Sequence, residues 1–220
     1  MNKGSKKDLR HIRREYNKEK LEESHLPENP LELFASWLEH AQSSGHTDPT
    51  AMTLSTVERN GQPSSRIVLL KKIQEGKLIF YTNYHSRKSR EIRANSKVAA
   101  HFYWSGLERQ VKIAGTASPL DDADSDLYFQ SRPFESNIAA WASPQSEAVP
   151  HRQYLENEFK KYLEKFKANR KVPRPAYWGG YAITPKRMEF WQGGRHRLHD
   201  RFEYTWNEER WRWSWIRLGP

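Results

Sequence analysis

The stretch AMTLSTVERNGQPSSRIVLLKK, residues 51–72, is the clearest indication of the fold class of this 220-residue chain. Two runs rich in β-branched residues, 51–58 and 64–72, flank the dipeptide Asn60-Gly61. Asn-Gly between two such runs is the strongest short-range signal for a β-hairpin. The chain is therefore predicted to contain antiparallel sheet.

The rest of the chain adds more short strands and a few helices. The residue patterns predict strands at 77–83, 97–104, 107–120, 180–184, 187–192, 200–206 and 211–217. They predict helices at 30–42, 87–95, 121–130 and 150–169, the first capped by Asn29 before Pro30 and the second by Ser86. This content predicts an α+β fold, mainly β, built on a β-barrel of antiparallel strands. Trp211, Trp213 and Trp215 alternate and are expected to form one buried face.

The composition excludes several classes of protein. The chain has no cysteine, which rules out disulfides, thiolate metal sites and a cysteine nucleophile. The aromatic content of 13% argues against disorder. No apolar run approaches the ~18–20 residues of a membrane span, and no secretory signal is visible. The histidines are scattered, so no metal site is predicted. We expect a cytoplasmic protein with no membrane partner.

The formal net charge of +10 is unevenly distributed. It is concentrated in residues 1–20, 158–175 and 186–220. The first segment is interpreted as a mobile basic N-terminal arm, 1–20, before a single domain, 21–220. A basic, Trp-rich chain could instead bind nucleic acid, with Trp213 exposed as a stacking platform. Because no nucleic-acid-reading motif accompanies the charge, no nucleic-acid partner is predicted.

Motifs for nucleotide hydrolysis, Rossmann dinucleotide binding, zinc proteolysis and serine hydrolysis are missing. Cationic side chains near strand ends are present instead. If the chain after Gly193-Gly194 is extended, Arg197, His199 and Arg201 share one face of a strand. Two guanidiniums and an imidazole on one face would repel each other, which favours an anionic ligand there.

A second candidate set lies in the N-terminal half. Arg66 and Lys71 are five residues apart, which predicts opposite faces of one strand, about 17 Å apart along it, unless a bulge realigns them. Residues 81–83 end a predicted strand and lead to a helix start carrying Arg87 and Lys88. Free backbone N–H groups and cations at such a helix start form a natural cradle for phosphate.

Tyr128, Arg132 and Ser136 recur at a spacing of four residues. On a continuous helix they would present two hydroxyls and a guanidinium on one face. Pro133 argues against an unbroken helix at this point, so the shared face is only suggested.

The chain resembles the pyridoxamine/pyridoxine 5′-phosphate oxidase family from about residue 11 to its end. The resemblance rests on RREY (13–16), DPTAM (48–52), GQPSSRIVLLK (61–71), FYTNYHSRK (80–88), LERQV (107–111), YFQSRP (128–133), SPQS (143–146), WGGY (178–181), EFWQGGRHRLHDRF (189–202) and RLGP (217–220). It implies a split-barrel flavoprotein that works as a homodimer with FMN at the subunit interface. The implied reaction converts pyridoxamine 5′-phosphate or pyridoxine 5′-phosphate to pyridoxal 5′-phosphate, with O2 as acceptor and H2O2 as product.

The resemblance also implies roles for individual residues. The FMN contacts would be Arg66, Ile67, Val68, Leu69, Leu70, Lys71, Tyr81, Thr82, Arg87, Lys88, Gln110, Gln145, Ser146, Trp191 and Arg201. The substrate contacts would be Lys71, Tyr128, Arg132, Ser136, Arg197 and His199, with Arg197 and His199 as the catalytic pair. A mobile segment, Arg13, Arg14, Glu15 and Tyr16, would cover the substrate. The alternative is a non-catalytic split-barrel protein that binds flavin or haem.

Overall fold

The computed structural model describes residues 8–168 and 170–220. Residues 1–7 of the predicted arm and residue 169 of the predicted helix 150–169 lie outside the described residues. The strands are β1 (Ala51–Val57), β2 (Pro63–Leu69), β3 (Lys72–Gln74), β4 (Lys77–Asn83), β5 (Lys97–Trp104), β6 (Arg109–Pro119), β7 (Trp178–Gln192), β8 (Asp200–Asn207) and β9 (Arg212–Arg217). The helices are α1 (Pro30–Ser43), α2 (Arg87–Ala94), α3 (Asp122–Ser131), α4 (Phe134–Ala142) and α5 (Arg152–Phe166).

Within the described residues, the nine strands form one antiparallel sheet. Its order is β2-β1-β5-β6-β7-β4-β3, with β8 added to β7 and β9 added to β8. One edge of β7 pairs with β6, and the other edge pairs with β4 in its first half and with β8 in its last. The sheet curls into a half-barrel around a core shared by α1 and most of the strands. The predicted split-barrel, mainly β fold is confirmed.

The first helix packs its buried face into the core of this half-barrel. Asn29 caps α1 as predicted, because its side-chain oxygen accepts a hydrogen bond from the Leu31 N–H at 3.1 Å. Phe34 and Trp37 lie on the inner face of the helix and are buried against strand residues, among them Phe102 and Phe190.

A smaller second core forms outside the barrel, between α3, α4, α5 and the start of β7. Phe129, Ile138, Val172 and Trp178 are buried there. The apolar face predicted for the helix 150–169 covers this core through residues such as Phe159 and Leu163. The second core supports one wall of the candidate site described below.

Two predictions about the last part of the chain need correction. The strands expected at 180–184 and 187–192 are one strand, β7, with a register shift opposite Ala114 and Gly115. Gly115 permits this because a Cβ there would lie 2.1 Å from the Thr184 carbonyl oxygen. The alternating Trp face is wrong, since Trp211 is 81% exposed and Trp215 is 40% exposed. The reason is that Trp211 lies in the turn before β9, whereas β9 is an edge strand paired with β8 alone among the described strands.

The break expected at Pro133 is present, but one of the helices beside it was not expected. Pro133 does break the helical stretch: α3 ends at Ser131 and α4, which the sequence did not predict, begins at Phe134. Trp213, whose exposure would favour nucleic-acid binding, is half-buried and packs against the main core. None of the helices in the described part of the chain is long and apolar enough to cross a membrane.

Candidate functional site

A cavity of about 820 Å³ opens beside β2, the end of β4, the start of α2 and the junction of α3 and α4. We call the residues that line it the cavity group. They are Ser64, Ser65, Arg66, Ile67, Val68, Leu69, Lys71, Tyr81, Thr82, Arg87, Lys88, Tyr128, Arg132, Pro133, Ser136, Gln145, Ser146 and Trp178. Most of the residues predicted to contact FMN, and the first four predicted substrate contacts, are in this group.

Arg66 and Lys71 line the same cavity, which corrects the expectation that they serve opposite faces. The alternation stops because β2 ends at Leu69 and a new strand, β3, begins at Lys72. Leu70, between them, is buried in the main core, so it would reach a ligand only through its backbone.

Lys88 provides a buried positive charge at the floor of the cavity. Its ammonium donates hydrogen bonds to Thr82 Oγ1 at 3.0 Å, Ser86 Oγ at 3.1 Å and Gln145 Oε1 at 2.8 Å. Burial, and then the nearby charge of Arg66, lower the pKa of Lys88 to about 8. Ser86 is at the N-cap of α2, but its side chain makes no capping bond, contrary to the prediction. The hydroxyl bonds to Lys88 and Ser89 instead.

One wall of the cavity is built of stacked aromatic rings. The rings of Tyr81 and Tyr128 are 3.8 Å apart between centroids, and Tyr81 stacks on Trp178 at 5.5 Å. Gly180 allows this arrangement, since a Cβ there would lie 2.9 Å from Tyr81 Cε1. Burial raises the pKa of Tyr128, so its hydroxyl stays protonated and can donate. Sequence reasoning gave Trp178 no role, although it begins the quoted WGGY stretch.

Arg132 extends from the α3–α4 junction over this aromatic wall. Its guanidinium carbon lies 4.6 Å from the Trp178 ring centroid, and its Nη2 donates to the Ser136 carbonyl oxygen at 3.1 Å. Among the described residues, the buried Nη1 of Arg132 finds no hydrogen-bond partner. A buried guanidinium N–H without a partner is costly, and an anionic ligand in the cavity would supply the acceptor.

The remaining predicted site residues lie at the far end of β7. We call them the β7-end group: Gln110, Trp191, Arg197, His199 and Arg201. Gln110, Trp191 and Arg201 are direct cross-strand neighbours on β6, β7 and β8, so their side chains share one face. The imidazole of His199 lies 4.6 Å from the Trp191 ring.

The chain before β8 is not extended, as had been expected for Arg197, His199 and Arg201. Residues Arg195–Arg197 form a 3-10 turn, and Arg197 has a left-handed φ of +64°. The turn closes through the Leu198 N–H, which donates to the Arg195 carbonyl oxygen at 3.0 Å. The two glycines before the turn have no side chains, and this lets the backbone fold back here. Arg197 is exposed and His199 is half-buried.

The hydrogen bonding of His199 defines which of its nitrogens is free. Nδ1 accepts a hydrogen bond from the Gly194 N–H at 3.1 Å. The neutral ring therefore carries its proton on Nε2 and is a donor at that atom. Burial, followed by the charges of Arg197 and Arg201, lowers the pKa of His199. The ring is consequently neutral at pH 7.

The N-terminal segment packs onto the β7-end group. The Tyr16 ring contacts both Trp191 and His199 edge-on, each at 5.6 Å between centroids. Gly193 makes room for it, because a Cβ at Gly193 would lie 2.9 Å from Tyr16. Buried Glu108 holds the chain beside it by accepting from the Asn17 N–H at 2.9 Å. Arg13 and Glu15 are exposed.

The two groups are separated along one strand. Trp178 lines the cavity at the first residue of β7, and Trp191 is thirteen residues further on. At about 3.3 Å per residue this is on the order of 40 Å along the strand. None of the β7-end residues lines the cavity. The cavity group and the β7-end group of one chain are therefore two separate groups, placed at opposite ends of β7.

The cavity has the size and charge to hold a phosphate-bearing aromatic cofactor. Its volume is within the usual range for ligand sites, roughly 300–1,000 Å³. The buried ammonium of Lys88, together with Arg66 and Arg87, fits the phosphate of FMN, and the aromatic wall fits its flat ring. Fold and site together define a split-barrel protein built to bind anionic, ring-containing ligands.

Comparisons with known proteins agree with this class. Residues 38–166 match the family model described as pyridoxamine 5′-phosphate oxidase, and residues 178–220 match the pyridoxine 5′-phosphate oxidase C-terminal dimerisation region. The chain is 50% identical over 204 residues to a pyridoxine/pyridoxamine 5′-phosphate oxidase of Shewanella sp. (strain MR-4), covering 93% of this chain and 96% of the relative. It is 49% identical over 213 residues to that of Shewanella oneidensis, covering 97% and 99%.

Solved structures show the same architecture. PhzG from Burkholderia lata 383, in complex with tetrahydrophenazine-1-carboxylic acid, superposes with a TM-score of 0.84 at 29% identity, over 90% of this chain and 95% of that one. A pyridoxamine 5′-phosphate oxidase-related, FMN-binding protein from Nostoc punctiforme has the same fold, with a TM-score of 0.68 at 16% identity over 89% and 100%. The chain belongs to the pyridoxamine 5′-phosphate oxidase family. The predicted family is confirmed, and FMN, the predicted cofactor, is the cofactor that this family and fold support.

Proposed function

We propose that the protein is an FMN-dependent oxidase of pyridoxamine 5′-phosphate and pyridoxine 5′-phosphate. The observation that carries the proposal is that one cavity holds two sets of cations on different elements. Arg66, Arg87 and Lys88 come from β2 and α2, whereas Arg132 comes from the α3–α4 junction. Two phosphate-bearing ligands, a cofactor and a substrate, would use them separately.

The cofactor would occupy the side of the cavity formed by β2, β4 and α2. Arg87 and Lys88 would hold its phosphate at the start of α2, where N–H groups and cations converge. Gln145 and Ser146, with the backbone from Arg66 to Lys71, would complete this side. When bound, FMN supplies the redox chemistry, accepting a hydride equivalent and passing the electrons to O2.

The substrate phosphate would bind to Arg132, Lys71, Tyr128 and Ser136. Nη1 of Arg132 would gain its missing acceptor there, which gives the phosphate a strong charge-assisted hydrogen bond. The amine substrate, O2 and water would give the aldehyde, ammonia and H2O2, whereas the alcohol and O2 would give the aldehyde and H2O2. The chain's contribution is chiefly to fix the substrate arm beside the cofactor.

Arg197 and His199 would complete the site from a second copy of the chain. The separation of the cavity group and the β7-end group along β7 supports a homodimer with the site at the subunit interface. The match of residues 178–220 to a dimerisation region supports it independently. His199 would donate from Nε2 to the substrate, and Arg197, whose guanidinium stays protonated, would orient the substrate ring and arm through charge-assisted hydrogen bonds.

The segment Arg13–Tyr16 would cover the bound substrate. Tyr16 already contacts Trp191 and His199, so the segment lies where the β7-end group would meet the partner's cavity. The cytoplasmic location, the use of O2 and the lack of nucleic-acid and membrane partners remain predictions.

The deciding experiment is to purify the protein, record its flavin absorbance and measure H2O2 after adding pyridoxamine 5′-phosphate. We expect a yellow protein that forms H2O2 and pyridoxal 5′-phosphate, with pyridoxamine lacking the phosphate as a poor substrate. A yellow protein that forms no H2O2 would favour the non-catalytic alternative. A colourless protein that stays inert after addition of FMN would contradict the whole proposal.

A further inference from the structure

Glu91 is a buried carboxylate that binds two arginines of the cavity group. It lies in α2, four residues after Arg87, and is 5% exposed. Its Oε1 accepts from Arg87 Nε at 3.0 Å, and its Oε2 accepts from Arg66 Nη2 at 3.1 Å and from the Thr56 hydroxyl. A single carboxylate thus joins the guanidiniums of β2 and α2.

The contacts of Arg66 show how tightly this arrangement fixes its guanidinium. Nη2 also donates to Ser64 Oγ at 2.6 Å, and Nη1 donates to the Leu54 carbonyl oxygen at 3.2 Å and to Thr56 Oγ1. Thr56 is fully buried and donates its own proton to Glu91. Glu91 is therefore the charged centre of a network that leaves Arg66 little rotational freedom.

The charge of Glu91 is as important as its geometry. Arg66, Arg87 and Lys88 all line the cavity, and three cations at one site repel each other when no anion is bound. Glu91 does not line the cavity, so it offsets this repulsion from behind. Burial acts to raise the pKa of Glu91, but the hydrogen bonds from Thr56, Arg66 and Arg87 outweigh it and lower the pKa. The group stays ionised at neutral pH.

We propose that Glu91 is a positioning residue of the flavin-phosphate site: it holds Arg66, and together with Glu58 it holds Arg87, in the orientation that receives the phosphate. The inference rests on the proposed function, because it requires a flavin phosphate at the start of α2. Sequence reasoning missed Glu91, whose only local signal is an Arg four residues before it in a short helix.

The competing explanation is that Glu91 only ties α2 to β1. Riboflavin binding distinguishes this structural role from the positioning role, because riboflavin carries the same ring as FMN but no phosphate. A positioning residue for the phosphate affects the dissociation constant, Kd, of FMN and leaves that of riboflavin unchanged. A residue that only maintains the fold affects both.

The experiment titrates flavin-free full-length protein with FMN and with riboflavin and follows the quenching of flavin fluorescence. For Glu91→Ala, we expect the FMN Kd to rise about ten-fold or more, the scale known for removal of supporting residues behind bound metals. The riboflavin Kd should stay within about two-fold, since the ring contacts remain. Glu91→Gln keeps the volume and should show a smaller loss in the same direction, so it decides the matter if the alanine variant does not fold.

Glu156→Ala is the matched control, because Glu156 accepts from Arg152 at the same spacing of four residues on exposed α5, at 2.8 Å. It should change neither constant. If Glu91→Gln and Glu91→Ala weaken FMN and riboflavin equally, or weaken neither, the inference is wrong while the proposed function stands. If the unaltered protein binds neither flavin, the proposed function is wrong, and the inference that rests on it is wrong as well.

Discussion

The ammonium of Lys88 donates a hydrogen bond to Oε1 of Gln145 at 2.8 Å and so joins the start of α2 to the loop after α4. The other two acceptors of Lys88, Thr82 and Ser86, are neutral as well. Lys88 is 7% exposed, so its charge is buried with no carboxylate bonded to it among the described residues. A bound phosphate would therefore provide the hydrogen-bonded counter-charge that the Lys88 ammonium lacks.

This arrangement predicts that FMN affinity falls as the pH rises above about 8. The pKa of Lys88 is lowered to about 8, and a bound phosphate raises it again by favouring the ammonium. At a pH between the pKa of Lys88 in the free protein and its higher pKa in the complex, FMN binding takes up a proton. The FMN Kd should therefore rise by about ten-fold per pH unit in this range. Titration of flavin-free protein between pH 7 and 9.5 measures this slope.

Lys88→Arg provides the control, because a guanidinium keeps its charge over this range. The FMN Kd of the variant should be nearly independent of pH above 8, even if it is higher throughout. Equal slopes in the variant and the unaltered protein would show that Lys88 does not carry the effect.

Replacing Arg132 should weaken substrate binding and spare the cofactor. Loss of a charge-assisted hydrogen bond to phosphate costs about 1.5–3 kcal/mol, so Arg132→Leu should raise KM for pyridoxamine 5′-phosphate by about 10- to 100-fold. The FMN Kd should be unchanged, since Arg87 and Lys88 are on another element. Steady-state H2O2 formation and flavin titration give the two values, with Arg152→Leu on exposed α5 as control. A matching loss of FMN would place Arg132 at the cofactor instead.

Local signals made the regular elements predictable. Asn29 before Pro30 marks the start of α1, and the alternating residues of 107–120 identify β6. The continuity of β7 through Pro185 was not predictable, because it depends on Gly115 of another strand approaching the Thr184 carbonyl. Contacts of that kind join residues that are distant in sequence, and no local pattern encodes them.

The candidate site was predictable in its residue types but not in its geometry. The cations at 66, 71, 87, 88 and 132 were expected, and the structure brings them to one cavity. The turn at Arg195–Arg197 was not expected, because two glycines are compatible with a strand as well as with a turn. The stacking of Trp178 and the network of Glu91 depend on packing between separate elements.

Removing the charge of Glu108 should loosen the N-terminal segment. This 3% exposed carboxylate accepts from the backbone N–H groups of Asn17 and Lys18 at 2.9 and 3.1 Å and pairs with Arg14 at 3.4 Å. An amide cannot pair with Arg14, so Glu108→Gln should speed tryptic cleavage after Arg14 and Lys18. Mass spectrometry of timed digests measures the rates. The control variant Glu156→Gln on α5 should be cleaved at the same rate as the unaltered protein. If Glu108→Gln is also cleaved at that rate, Glu108 does not hold the segment.

The separation of the two groups along β7 gives the sharpest test of the homodimer. Arg132 belongs to the cavity group and Arg197 to the β7-end group, so Arg132→Leu and Arg197→Leu should each reduce turnover strongly at low substrate concentration. Arg197→Leu should keep its FMN, because the proposed site of the cofactor phosphate is in the cavity group, away from Arg197. In a dimer that carries one variant in each subunit, one site has both defects and the other has an intact Arg132 and an intact Arg197. Equal co-expression of the two variants should therefore restore about a quarter of full activity, since half of the randomly formed dimers are mixed. Activity no higher than the average of the two variants would mean that both residues act within one chain.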